Sequence, residues 1–515
     1  MIGVRQRIGH DLKRWAVVLL VLGLAWRTVR LAMNFSLSSD EASIAVHLLD
    51  RDFAGLTAPL GYAQVAPVGF LWTELATARL LGFTEAALRL PAWIQNLAAL
   101  GLFWSFARRV LDRRRALLAV GIFASSYYVV RHGAEVKPYA GDVLLALGVI
   151  WLAGRILENE QALGPKIGLT LLAAAGVWVS YPAVFVAAGA GAVLSWRALR
   201  SRSRRALLFV AVYGLVLMAS FFLVYLWIDR YQARDVPWWM ADYWRDAFPP
   251  VKQPLRLLWW LIDIHAGVML AYPVGAAHFG SALTLVCVVT GAVGMARSRR
   301  DLLLLLLSPL PFAFVAAALE RYPYGDAIRT SLYMAPSFCL LAGAGLVTLL
   351  KATLSRRGAV RGVRVAAGVL AVIAAAGIAL DVARPYKEIG DHENRRILRL
   401  VCARCEPGDE WAVVTGEAEA RFRFYLSRFS PVPVRWEAQP ADLSRPGPTR
   451  IRLIAYTYRD RMLPKELLDA CREALTVRQG PWRHEGFPLE DGIIHVYEFG
   501  ASPSSTGPQR IGGIR

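Results

Sequence analysis

Eleven apolar stretches recur along this chain, each near the 20 or so residues a helix needs to cross hydrocarbon. They fall at about 14–33, 86–107, 116–131, 138–156, 166–180, 182–197, 206–228, 277–296, 302–319, 330–350 and 362–382. Tyr181-Pro182 divides 166–180 from 182–197, either as two short spans or as one kinked region. The stretch 255–272 is apolar but carries Asp263 and His265, which reads as an interfacial or re-entrant helix. The first connecting loop, about 35–85, is long without being polar. Ala42–Leu49 and Gly69–Leu81 keep their apolar residues at helical spacing, the pattern of amphipathic helices lying in the membrane interface. After about 385 the apolar runs shorten and Pro, Arg and Glu rise. Glu410–Thr415 and Arg450–Ala455 read as strands, Arg459–Leu475 as a helix and Ile493–Phe499 as a last strand.

The expected fold class is therefore an all-α polytopic membrane domain of about eleven transmembrane helices with a small C-terminal α/β soluble domain. Its parts are 1–384, the membrane domain with interfacial helices in the first outer loop; 385–501, the soluble domain; and 502–515, a disordered tail. No internal repeat is visible.

Charge fixes the orientation. Basic clusters precede the first stretch (Arg5, Arg7, Lys13, Arg14) and recur at Arg108–Arg115, Arg197–Arg205, Arg297–Arg300 and Lys351–Arg364. With eleven spans, all of these fall on the cytoplasmic side. The remaining loops hold Asp40, Glu41, Glu74, Glu135, Asp235, Asp242, Asp246 and Asp326, and the C-terminal domain falls outside with them. The first stretch is long and lacks a small-residue cleavage site, so it reads as an uncleaved helix rather than a signal peptide. This is the layout of a multi-pass plasma (inner) membrane protein with an extracytoplasmic C-terminal domain.

Composition agrees. Hydrophobic residues make up 56% of the 515, a share a soluble protein cannot keep inside. The formal charge of +20 would suggest nucleic acid in a soluble protein, but the basic residues sit between apolar runs, so topology accounts for them and no nucleic-acid partner is expected. Of five cysteines, Cys287 and Cys339 lie in apolar runs. Cys402 and Cys405 have CxxC spacing without a second pair, which argues against zinc; with Cys471 they leave one disulfide open if the domain meets an oxidising compartment.

Four segments on the outer side carry chemistry. Ser38-Ser39-Asp40-Glu41 puts two adjacent carboxylates at the membrane surface; Ser39 or Asp40 also suits the cap of the helix that follows. Tyr62–Trp72 contains Gln64 and leads through a Pro-initiated helix to Leu88-Arg-Leu-Pro91. Arg131-His132-Gly-Ala-Glu135-Val-Lys137-Pro-Tyr139-Ala-Gly-Asp142 packs five ionisable groups into a very short loop at headgroup level. There Arg131 and Lys137 suit phosphate oxygens, and Glu135 suits orienting them or binding sugar hydroxyls. Glu320–Arg329 brings Arg321, Tyr324, Asp326 and Arg329 between two spans; its arginines suit either membrane anchors or a lipid phosphate, and its tyrosines a sugar ring.

Together these segments resemble the GT-C superfamily of membrane glycosyltransferases, near the family-39 protein mannosyltransferase and aminoarabinose-transferase group. The residues that carry the likeness are Asp40-Glu41-Ala-Ser-Ile-Ala, Gln64…Pro67-Val-Gly-Phe-Leu-Trp72, Leu88-Arg-Leu-Pro91 and Ala134-Glu-Val-Lys-Pro-Tyr139, within about 10–350. Where relatives have a Lys-Pro-Pro run after the first loop motif, this chain has Val65-Ala66-Pro67, so no lysine role carries over there. The resemblance implies a GT-C-like membrane domain and transfer of a hexosyl or pentosyl unit from a polyprenyl-phosphate-linked donor to a glycan, lipid or protein acceptor on the extracytoplasmic face, with membrane lipids as neighbours. The absence of a Gly-rich nucleotide loop argues against a nucleotide-sugar donor. Asp40 is the expected general base, with Glu41 its substitute or its orienter, and attack opposite the phosphate inverts the anomeric centre. Gln64, Arg131, His132, Glu135, Lys137, Tyr139, Arg321, Tyr324, Asp326 and Arg329 are the expected substrate-binding residues. Some relatives use a divalent metal, but no tight His/Asp cluster declares one here. The alternative is a polytopic transporter or lipid flippase of the cell-envelope pathway. That class calls for polar residues inside the spans and broken helices or inverted repeats, and neither is clear here.

Overall fold

The computed structural model describes residues 2–232, 242–386, 388–414, 420–444, 450–458, 465–480, 482–488 and 492–499. Asp235, Thr415, the start of the expected helix at Arg459–Pro464, and the tail from Ser502 lie outside them. The chain divides into two units, one of Met1–Asn34 with Arg51–Pro385, the other of Phe35–Asp50 with Tyr386–Arg515.

The first unit is helical, and a helix occupies each of the eleven apolar stretches. It begins with α1 (Ile2–Ala32); α2 (Ser39–Asp50) belongs to the second unit. Then follow α3 (Val68–Leu81), α4 (Glu85–Val110), α5 (Arg113–Ala124), α6 (Tyr127–His132), α7 (Tyr139–Glu158), α8 (Leu163–Val179), α9 (Ala183–Ser201) and α10 (Arg204–Val224). The helices Ala282–Ser298, Arg300–Leu307, Pro309–Ala318, Ala335–Thr353 and Arg356–Ala383 follow, with shorter ones at Arg230–Gln232, Pro254–Ala266 and Ile328–Ser331. Among the described residues, seven helical runs are long and apolar enough to cross a membrane, and Leu163–Val179 and Ala282–Ser298 are shorter apolar helices. The stretch 116–131 is not one rod. Ser125 and Ser126 turn their hydroxyls back onto the Gly121 and Ile122 carbonyls (2.7 and 2.6 Å), and the helix breaks there into α5 and α6. Tyr181-Pro182 likewise separates two helices, α8 and α9. The polar-bearing 255–272 stretch forms a helix only over Pro254–Ala266.

Buried charge ties the first unit together. Arg27 is fully buried on α1; its Nε donates to Asn96 Oδ1 (2.9 Å) and its Nη1 to the carbonyls of Gly23 and Ala124 (2.9 and 3.1 Å). Arg30 pairs with Asp381 (2.6 Å), which also accepts from the Trp26 indole (2.7 Å). A charge inside apolar surroundings persists only when paired and hydrogen-bonded in this way. These bonds fix α1 against α4, α5 and the helix Arg356–Ala383.

The second unit holds a five-stranded sheet of order β2-β1-β3-β5-β4. Its strands are β1 (Asp409–Val414), β2 (Val434–Arg435), β3 (Arg450–Tyr458), β4 (Trp482–Pro488) and β5 (Gly492–Phe499). β1 runs parallel to β2 and β3, whereas β5 runs antiparallel to β3 and β4. The apolar face of Lys465–Gln479 (Leu468, Cys471, Leu475) closes a core with Leu453, Ala455, Tyr497 and Phe499. β1, β3 and β5 fall where the sequence predicts strands, Thr415 aside. β4 and the helices Ile389–Cys402 and Ala420–Phe429 were not read from the sequence. All five cysteines are free thiols. Cys402 ends a helix and Cys405 follows it in a turn, while Cys471 is buried in the sheet core.

Candidate functional site

In the first unit the short loop between α6 and α7 is held from behind. The Asn96 amide that accepts from Arg27 also donates to the Val129 carbonyl (3.1 Å). Gly133 passes so close that a Cβ there would stand 1.6 Å from Asn96 Nδ2 and 2.6 Å from the Val129 oxygen. Only a glycine allows this approach, so α1 and α4 set the path of the loop.

The loop gathers its ionisable groups. His132 Nδ1 and Glu135 Oε2 are 2.8 Å apart, and both side chains are buried. Arg131 lies 3.9 Å from the other Glu135 oxygen and donates to the Tyr127 hydroxyl (3.1 Å). Tyr128 stacks on the His132 ring, and Tyr139 meets it edge-on at 5.5 Å. Lys137 is buried, and its Nζ donates to Gln64 Oε1 across 2.7 Å. An ammonium held at this place is the kind of group that binds phosphate oxygens through charge-assisted hydrogen bonds.

One turn into α7 stands a carboxylate that the binding set left out. Asp142 is buried; Ser180 donates to it, and among the described residues its Oδ1 has no hydrogen-bond partner. Tyr322, from the 320–329 segment, lies within electrostatic reach of Asp142, Tyr139 and Tyr333. Its hydroxyl donates to the Thr330 carbonyl (2.9 Å), and burial holds its pKa well above that of an ordinary phenol. The sequence signal for Asp142 is its place three residues after Tyr139, at the head of an otherwise apolar helix.

The rest of the 320–329 segment faces other partners. Tyr324 donates to His265 Nε2 (3.3 Å), whose Nδ1 hydrogen goes to the Leu261 carbonyl (2.7 Å); burial lowers the pKa of this histidine, favouring the neutral ring. Gly325 turns with φ +74° beneath Ile264. Asp326 is exposed at the surface; partial desolvation by its neighbours, with the Asp246 and Asp263 charges nearby, raises its pKa. Arg329 donates to the Tyr243 hydroxyl (2.9 Å) and lies over the Trp244 ring, while Arg321 is exposed. Thus Gln64, Arg131, His132, Glu135, Lys137 and Tyr139 form one cluster. Tyr324, Asp326 and Arg329 are occupied with the 242–266 region.

Asp40 and Glu41 lie in the second unit, in the first turn of α2. Glu41 is buried, and its Oε2 accepts from both the amide and the hydroxyl of Ser38 (3.0 and 3.1 Å). This is the glutamate half of a capping box, in which the carboxylate satisfies donors at the helix start. Asp40 is half-buried. Within the same unit Leu37 N donates to the Tyr425 hydroxyl (2.7 Å), and the buried pair Arg421–Asp391 (2.6 Å) joins the helices on which they sit. Burial pushes the Asp391 carboxyl up to about 7 against the pull of Arg421. Among the described residues no group of three or more His, Cys, Asp or Glu side chains could hold a metal ion, and no step is derived through one.

Residues 65–227 match the family of dolichyl-phosphate-mannose-protein mannosyltransferases. No curated protein matches the chain by sequence. Among solved structures, apo ArnT from Cupriavidus metallidurans is similar over 96% of this chain and 99% of its own, at 14% identity and a TM-score of 0.59. ArnT bound to undecaprenyl phosphate is similar over the same shares, at 14% identity and a TM-score of 0.57. The Archaeoglobus fulgidus oligosaccharyltransferase in complex with Zn and sulfate is similar over 85% of this chain and 67% of its own, at 11% identity and a TM-score of 0.50. Residues 65–227 carry that family's pattern and the chain has the fold of ArnT over nearly its whole length; it is a multi-pass membrane protein.

Proposed function

We propose that this protein transfers a sugar from a polyprenyl-phosphate donor to an acceptor hydroxyl on the extracytoplasmic face of the plasma (inner) membrane. The observation that carries the reading is the cluster of Arg131, His132, Glu135, Lys137 and Tyr139 at the head of α7, inside the match to dolichyl-phosphate-mannose-protein mannosyltransferases. The undecaprenyl phosphate bound by ArnT supports the donor class.

The acceptor oxygen attacks the anomeric carbon as the carbon–oxygen bond to phosphate breaks, and the polyprenyl phosphate leaves with the bonding pair. Asp40 takes the acceptor proton, and attack from the face opposite the phosphate inverts the centre. Lys137 offsets the charge that grows on the departing phosphate, where fixed donors act most strongly. Arg131 adds a second cation, oriented by Glu135. The His132–Glu135 pair and Tyr139 shape the wall for sugar hydroxyls, and Asp142 offers its unpartnered oxygen to one of them. Arg321, Tyr324, Asp326 and Arg329 contribute further substrate contacts from the 320–329 segment. The basic loops are assigned to the cytoplasm, and residues 385–501 to the outer side.

The test is mass spectrometry of lipid-linked sugars and envelope glycans from a deletion strain. One polyprenyl-phosphate sugar should accumulate as its glycan product disappears. Unchanged levels of every lipid-linked sugar, with purified protein inert toward them, would reject the reading.

A further inference from the structure

The helices of the first unit carry a second charged feature at the end of α7 away from Lys137. α7 has 20 residues, a rise of about 30 Å from one end to the other. At its far end a cavity of about 410 Å³ opens among the ends of α4, α7 and α9 and the Ser298–Leu302 turn. Five arginines line it, Arg109, Arg155, Arg197, Arg299 and Arg300, against two carboxylates, Glu158 and Asp301.

Two of the arginines are neutralised in place. Arg109 forks onto Glu158 through Nε and Nη2, and Arg197 pairs with Asp301. Arg155, Arg299 and Arg300 have no carboxylate at ion-pair distance among the described residues. The lining thus keeps a surplus of three positive charges. The remaining wall is mostly apolar, from Phe106, Val110, Trp151, Leu157 and Leu302, with Ser298 beside them.

The depth of the cavity in the membrane can be read from its neighbours. Three helices end in a tryptophan with an arginine four residues on, stacked over it: Trp104 with Arg108 at 5.2 Å, Trp151 with Arg155 at 5.8 Å and Trp196 with Arg200 at 5.6 Å. Such pairs settle at the headgroup level, the indole toward hydrocarbon and the guanidinium toward water. Trp151 and Arg155 themselves line the cavity.

We propose that this cavity binds the headgroup of an anionic phospholipid, its phosphate held by Arg155, Arg299 and Arg300 and the start of an acyl chain lying on the apolar wall. Unpaired guanidiniums fit phosphate oxygens in bidentate fashion. The apolar wall and the headgroup depth favour a lipid over a free anion, which would need only the cations. A zwitterionic lipid brings its own cation into the arginine surplus and is disfavoured. The site is separate from the Lys137 cluster and does not depend on the proposed sugar transfer.

The test is native mass spectrometry of the full-length protein in neutral detergent, titrated with phosphatidylglycerol, phosphatidylcholine or inorganic phosphate. Phosphatidylglycerol should be retained and phosphatidylcholine should not. Replacing Arg155, Arg299 and Arg300 together by Gln should weaken retention at least about tenfold, given the contribution of each basic residue near a headgroup. Replacing Arg356 and Arg357 by Gln, exposed basic residues outside the cavity, should change nothing. Gly154→Leu guards against misfolding of the triple variant. Gly154 lines the cavity and has open space where a Cβ would stand, so leucine fills the site without touching a charge and should also weaken retention. Wild-type retention by both the triple variant and Gly154→Leu, equal retention of phosphatidylcholine, or full displacement by millimolar inorganic phosphate overturns the proposal.

Discussion

Lys137 donates to Gln64 across 2.7 Å, joining the short loop before α7 to a segment 73 positions earlier. If the lysine holds the donor phosphate, Lys137→Met should raise the donor concentration needed for transfer about ten- to a hundredfold, the worth of one charge-assisted bond of roughly 1.5–3 kcal/mol. Gln64→Glu is the sharper variant. It puts a carboxylate on the ammonium in place of the amide, so the fold should stand while donor use falls. Donor titrations check both. Normal transfer by Lys137→Met at low donor concentration would show that the residue is only a structural tie.

The Gly133–Asn96 approach predicts a stability effect. Gly133→Ala must push away the amide that holds both Arg27 and the Val129 carbonyl, so the cost is roughly 1–3 kcal/mol. Gly101→Ala on α4, where a Cβ meets nothing within 4 Å, should be neutral or slightly stabilising. Thermal melts of the two purified variants decide it; equal melting temperatures would remove the loop from the control of α1 and α4.

The membrane helices were legible because an apolar run of the right length has few other fates. Their breaks were less so. Ser125-Ser126 interrupts a run that keeps its hydrophobicity, and only the hydroxyl bonds to Gly121 and Ile122 reveal why. The loop chemistry of 131–139 could be read from charge density alone, yet Asn96, which sets that loop, looks like any polar residue in a helix. Asp142 belonged to the same motif but was left out of the binding set, since nothing local distinguishes it from a first-turn helix acid. The grouping of 35–50 with 386–515 rests on pairings such as Leu37 with Tyr425, hundreds of residues apart, which leave no periodic trace. The Ile389–Cys402 helix did carry a visible amphipathic pattern, overshadowed by its polar composition.

The histidine pair on β4 and β5 predicts a pH dependence for the C-terminal unit. His484 Nε2 and His495 Nδ1 lie 3.0 Å apart in stacked rings. Burial, then the neighbouring His484, lowers the His495 pKa from 6.5 to about 4. The unfolded chain therefore takes up a proton first as the pH falls. The contribution is fully present above about 6.5 and is lost progressively toward 4. Limited proteolysis of the full-length protein should show cleavage within 386–499 rising over that window. His495→Gln should flatten the response; an identical pH profile for the variant would assign the effect elsewhere.

Asp40 and Glu41 are neighbours with different surroundings, and this separates the base from the cap. Glu41 accepts two bonds from Ser38 at the start of α2, an arrangement glutamine also makes, so Glu41→Gln should keep both fold and transfer. Glu41→Ala removes the acceptor and should cost about 1 kcal/mol of stability without a specific chemical defect. Asp40 is half-buried in the same turn. Asp40→Asn keeps its size and its capping ability, so a purely structural Asp40 predicts little change. A general base predicts a loss of about 10²–10⁴-fold in turnover. The comparison needs matched protein levels and saturating donor, so that weaker binding does not imitate a slower chemical step. Near-normal turnover by Asp40→Asn would reject it as base. Inactivity of a folded Glu41→Gln would exchange the two roles, because the cap alone cannot account for it. If both variants turn over normally, the proton goes to another carboxylate, and Glu135→Gln and Asp142→Asn become the deciding pair.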